Sequence, residues 1–249
     1  MPPKTISEVI GQLDIMIAEA KEHSSRLGYF PALYRRVTVE VKNKVEQNYF
    51  DDNARMEKLD VVFANRYLAA YQAYQKDEGC SASWQVAFDA ARSWRPLVLQ
   101  HLLLGMNAHI SFDLGMAAAT VAPGHAINSL QGDFNKINNI LSSLVDTVQS
   151  ELAQLWPILK AIDLLAGSLD EKLARFSMTI ARDAAWKMAE QYATVQVGQQ
   201  EEFVNVRDKK VAGFAQKIYQ PGLLLQSAIA ILRAGEIGTV SRKIEILDK

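Results

Sequence analysis

One apolar run, Pro96 to Ala122, reads PLVLQHLLLGMNAHISFDLGMAAATVA. A run of this length must be buried, either in a bilayer or inside the protein. It carries Gln100, His101, Asn107, His109 and Asp113. A carboxylate near the middle of a bilayer is costly. We therefore read the run as a central helix inside the protein, and we expect no membrane span.

The rest of the chain supplies helices to cover it. Ile6, Val9, Ile10, Leu13 and Ile17 recur at steps of three and four, the spacing of one helical face. Thr5 and Glu8 form a candidate capping box in front of them. Gly28 and Pro31 mark a break, and a second helix is expected over about 32–49. Asp51-Asp52-Asn53 caps a third helix running to about Lys76, whose stripe includes Leu59, Phe63, Arg66 and Tyr67. A helix from about Ser83 is broken near Pro96, because proline removes a backbone donor. After Pro123-Gly124, Gly132-Asp133 is read as the start of an amphipathic helix. A short helix is expected between Trp156-Pro157 and Gly167-Ser168, then a long one opened by the capping box Ser168 to Glu171. The last helix is expected over about 223–233, with 235–249 left as a weakly patterned tail.

Val37-Thr38-Val39-Glu40-Val41 is the one alternating stretch, and it lies within a helical pattern. No repeat and no Pro/Ser/Gly-rich linker divides the chain. The expected fold is all-α, a single globular domain over 1–249. About eight to ten helices would form a bundle around the buried apolar central helix.

Composition narrows function. Lys plus Arg is 27 and Asp plus Glu is 28. That balance argues against non-specific nucleic-acid binding, which relies on excess cations. The N-terminal MPPKTISE has no apolar core of signal type, so a cytoplasmic location is expected. Phosphate-cradling glycine loops, a nucleophile elbow and His-Glu-x-x-His are all absent from the sequence. With Cys80 the single cysteine, a cysteine-rich zinc site cannot be built.

The polar residues of the central run carry what chemistry there is. His109 and Asp113 are four residues apart, about 40° around a helix and one turn along it. Burying either unpaired would cost several kcal/mol, roughly. The pair suits acid–base catalysis, with the carboxylate fixing the imidazole tautomer and raising its pKa. A structural histidine with its carboxylate is the competing reading. Asn107 lies about 160° from His109 and is expected to clamp a backbone group of another helix. His101 could join the site only if the helix bends, which Gly105 permits.

Arg66 sits in an apolar stripe and needs a carboxylate, Asp113 or Asp133. Asp133 points inward at its helix start, where an ordinary N-cap is the plainer reading. Asp183 is read as an exposed partner of Lys187. Arg66, Asn107 and Asp133 form the candidate substrate-binding set. A metal-dependent alternative uses His109, Asp113 and Asp133, with His125 as a fourth donor. The aromatic series Tyr67, Tyr71, Tyr74, Trp84 and Phe88 is read as core, with the option of walling an apolar pocket.

Three strings carry a resemblance. They are NYFDDNARMEKLDVVFANRYL (48–68), LLGMNAHISFDL (103–114) and GDFNKIN (132–138). They resemble a largely bacterial, uncharacterised family known only as a domain of unknown function, over roughly 28–189. The resemblance implies a helical fold and marks Asp60, Arg66, Asn107, His109, Asp113 and Asp133. It implies no reaction. Ser111 departs from the larger polar residue expected there.

The functional expectation is a small-molecule enzyme that uses His109 and Asp113 on a partly apolar substrate, by hydrolysis, cyclisation or isomerisation. The alternatives are a non-catalytic carrier of an apolar ligand and the metal-dependent enzyme. The expected partner is a small molecule, not nucleic acid. The sequence names no cofactor and no oligomeric state.

Overall fold

The computed structural model describes residues 1–155 and 178–249. Among them are eleven α-helices and no strand. The short helix expected between Trp156-Pro157 and Gly167-Ser168, and the opening of the long helix at the capping box Ser168 to Glu171, lie outside the described residues. The later part of that long helix, through Ile180, Ala184 and Met188, is helical as expected.

Helix α1 (Ile6–Glu22) is capped by Thr5, whose hydroxyl accepts from the Glu8 N–H. A short 3₁₀ turn leads into α2 (Tyr29–Glu46). The alternating Val37–Val41 stretch is helical, as the surrounding pattern dictated. Helix α3 (Asn53–Gln75) starts where Asp52 accepts from the Arg55 N–H. Helix α4 (Ala82–Ala91) is capped by Ser81, and the chain then breaks ahead of Pro96.

The apolar run forms α5 (Val98–Ala108), a π-helical turn (His109–Leu114) and α6 (Gly115–Val121), with no gap between them. Together they make one continuous helix, Val98–Val121. It is the one described helix long and apolar enough to cross a membrane, but 89% of its apolar window is buried inside the protein. It is a core helix. Around it pack α2, α3, α4, α8 (Met178–Thr194) and α9 (Gln200–Tyr219).

Three expectations need correction. First, α7 (Ile127–Leu152) begins before Gly132-Asp133, so Asp133 lies inside the helix and caps nothing of its own. Second, Leu223 does not open the last helix: α10 (Leu223–Gly235) is followed by α11 (Val240–Leu247). Third, the tail is therefore structured. Ile244, Ile246 and Leu247 are buried against α1, α2 and α7. A two-turn helix is too short for its stripe to stand out by period alone. A Cβ on Gly28 would meet Ala20 Cβ at 2.5 Å and Ile244 Cδ1 at 2.7 Å, so glycine there lets the turn pack closely against α1 and α11.

Candidate functional site

Asp113 is the anchor of the site. Its Oδ1 accepts from Arg66 Nε at 3.0 Å and its Oδ2 from Trp84 Nε1 at 2.8 Å. Arg66 also reaches Met116 Sδ at 3.2 Å. Three helices, α3, α4 and the central one, are thus tied at one buried carboxylate. Arg66 finds the carboxylate that its place in an apolar stripe demanded.

His109 is buried, with Nδ1 3.6 Å from Asp113 Oδ2. That is longer than a hydrogen bond, and both ring nitrogens are buried without a hydrogen-bond partner. Burial pushes its pKa down and outweighs the opposite pull of Asp113. The sequence led us to expect a raised pKa. The correction has a plain cause: desolvation of the cation exceeds the attraction of a carboxylate already neutralised by Arg66. The imidazole is therefore neutral at physiological pH. It stacks on Phe63 with ring centroids 3.5 Å apart and planes 7° apart, and meets Tyr34 edge-on at 4.5 Å.

The π turn sets this geometry. Its wider winding breaks the regular i to i−4 ladder, and such turns are frequent at functional sites. Arg207 of α9 donates twice to the Ser111 carbonyl, at 3.1 and 3.0 Å. Asn107 clamps α9 as well, donating to the Val211 carbonyl at 3.1 Å.

His109 lines a cavity of about 200 Å³ between α2, α3, the central helix and α7. Most of its wall is aliphatic or aromatic. The exceptions with ionisable or hydroxyl groups are Tyr34, Asp60, His109 and Arg182. The Tyr34 hydroxyl and Asp60 Oδ2 are buried without partners, like the imidazole nitrogens. Burial, with help from Glu57, raises the Asp60 pKa to about 7. Burial also drives Tyr34 well above its ordinary value, so the phenol stays protonated. Arg182 is buried and donates to Asn138 Oδ1 at 2.5 Å and to the Phe134 carbonyl at 2.5 Å.

The remaining candidates fall elsewhere. Asp113 does not line the cavity; it stands behind His109. Asn107 and Asp133 do not line it either, so neither is placed to bind a substrate there. Asp133 accepts from the backbone N–H groups of Asp51 and Asp52 at 2.7 and 2.9 Å. It caps the approach to α3 from across the fold. Burial opposes its ionisation, but those two donors and Lys136 more than compensate and hold its pKa low. The metal set His109, Asp113 and Asp133 is not assembled, because Asp133 is engaged at the α2–α3 turn. Among the described residues no three His, Cys, Asp or Glu side chains are grouped to hold a metal.

His125 and Asp183 are exposed. His101 packs against Tyr29 with centroids 5.5 Å apart, outside the cavity. Tyr67, Trp84 and Phe88 are core, while the aromatic walls of the cavity are Phe30, Tyr34, Phe63 and Phe134.

Sequence reasoning missed Tyr34 and Arg182, and named Asp60 only through the family resemblance. A signal for Asp60 existed: it lies between Leu59 and Phe63, which line the cavity with it on α3.

Fold and site together define an all-helical protein with an apolar internal pocket set beside a buried histidine. The chain matches the model of the family described as "Family of unknown function (DUF5995)" over residues 6–221, and it belongs to that family. The match extends beyond the 28–189 expected from the strings and takes in α1 and α9. Comparison with curated proteins and with solved structures gives no match.

Proposed function

We propose that this chain is a small-molecule enzyme that takes a largely apolar substrate into the cavity and moves a proton on it with His109 and Asp60. One observation carries the reading: two buried titratable side chains line the same apolar cavity, His109 with both ring nitrogens unpartnered and Asp60 with its Oδ2 unpartnered. Unpaired buried polar groups cost stability, and structural pairs do not stay unsatisfied without reason. Their protonation states differ in a useful way. His109 is held neutral and can accept a proton, while Asp60, near 7, can hold or release one. Asp113 would orient His109 and steady the imidazolium as it forms; it is a positioning residue, fixed by Arg66 and Trp84. Hydrolysis, cyclisation and isomerisation all fit such a pair. A cytoplasmic role in small-molecule biosynthesis is part of the same proposal.

A carrier without chemistry is the second reading, favoured by the unbroken aliphatic wall at Leu99, Leu102, Val148 and Leu152. His109→Ala separates the two. As an enzyme, the variant is expected to stay folded by circular dichroism, to bind any small molecule that native mass spectrometry finds on the wild-type protein, and to lose turnover by at least ~100-fold. A folded variant with full turnover would overturn the catalytic reading.

A further inference from the structure

The cavity is long for its volume. Its wall on the central helix runs from Leu99 to Leu114, about 22 Å of helix rise. Along α7 it runs from Phe134 to Leu152, about 27 Å. A volume of about 200 Å³ spread along such walls suits a chain better than a fused-ring system.

The wall is also divided in kind. Leu99, Leu102, Val148 and Leu152 belong to the core cluster that includes Tyr29 and Ile17. Tyr34 and Phe63 belong to the other cluster, with Phe134; Asp60 shares α3 with Phe63, and the His109 ring stacks on Phe63 and meets Tyr34. Among the described residues, the unpartnered polar atoms are thus confined to one part of the cavity, and the other part offers only hydrocarbon.

Resting on the reading above that the cavity binds a small molecule, we infer its class. The ligand is a straight-chain amphiphile with an uncharged hydrogen-bonding head, the head at Tyr34, Asp60 and His109 and the chain along Leu99, Leu102, Val148 and Leu152. A phenol, a neutral imidazole and a carboxyl group offer donors and acceptors together, which matches a hydroxyl or carbonyl. None of the three is a cation that could balance a carboxylate or phosphate. The nearby guanidinium of Arg66 is committed to Asp113. Arg182 is turned to Asn138 and the Phe134 carbonyl. A cationic head would need Asp60 ionised, and burial opposes that.

Calorimetric titration of the full chain at about pH 5.5, where the Asp60 carboxyl keeps its proton, with decanol, decanoate and decylamine tests this. Decanol is expected to bind at least ~10-fold more tightly than either charged probe. Tyr34→Phe, a near-isosteric change that removes one unsatisfied hydroxyl, is expected to keep the fold and weaken decanol by ~3–10-fold. Tighter binding of decanoate or decylamine would overturn the uncharged head while leaving the cavity a binding site. Equal binding of decanol by wild type and Tyr34→Phe would overturn the placement of the head. Failure of all three probes to bind would sink this inference and the binding reading beneath it.

Discussion

Alanine at Asp113 is expected to lower the free energy of unfolding by about 2–4 kcal/mol in a urea titration, with little change in slope. The carboxylate satisfies Trp84 Nε1 and Arg66 Nε at once. Trp84 is 1% exposed and cannot turn to water. Removing its acceptor leaves a buried donor unpaired, which alone costs about 1–3 kcal/mol. Arg66 adds less than a buried ion pair does, because its side chain is 33% exposed and can rehydrate. Asp113→Asn keeps one acceptor oxygen and should lose roughly half as much. A loss below ~0.5 kcal/mol for the alanine variant would mean that Asp113 is not the tie between α3, α4 and the central helix.

Asp60→Asn should behave oppositely, and its effect should depend on pH. An unfolded aspartate titrates near 3.9, while the folded Asp60 titrates near 7. The folded state therefore holds a proton that the unfolded state has released. Such a group stabilises fully below the unfolded pKa, and its contribution is lost as pH rises through the folded one. The separation corresponds to roughly 4 kcal/mol. His101 and His109 have the reverse sign. Both pKa values are lowered, to about 3 for His101, so their contribution is lost as pH falls. The two trends overlap between about 4 and 6.5, and the wild-type curve alone would hide each. The difference between Asp60→Asn and wild type isolates Asp60. It is expected to grow in the variant's favour from about pH 4 to 7 and then level off. A flat difference curve would show that Asp60 titrates as a solvated carboxylate.

The central helix was legible because its apolar run is longer than any surface helix needs. Arg66 was legible for a related reason: a guanidinium in an apolar stripe must find an acid, and Asp113 is the one it finds. The local spacing of His109 and Asp113 held, but the sign of the imidazole pKa did not follow from it. That sign depends on how completely α2, α3 and α4 cover the ring, and no i to i+4 spacing records coverage. Asp133 shows a different limit. Its inward place in α7 was readable, yet its partners are the backbone groups of Asp51 and Asp52, some eighty positions away and invisible to pattern. Tyr34 escaped notice because a tyrosine on a helical stripe reads as core, and only the fold leaves its hydroxyl without a partner. The tail misled for want of length: α11 has eight residues, about two turns of signal.

The central claim is that His109 is a neutral, water-excluded imidazole beside a cavity that a ligand can enter. Nitrogen-15 spectra of histidine-labelled protein test it most directly, with His109 assigned by its replacement. The account predicts a neutral ring at physiological pH that stays neutral below the ordinary histidine pKa of about 6.5, and a ring-nitrogen resonance that moves when decanol is added. A ring that protonates near the ordinary value and ignores the added ligand would contradict it.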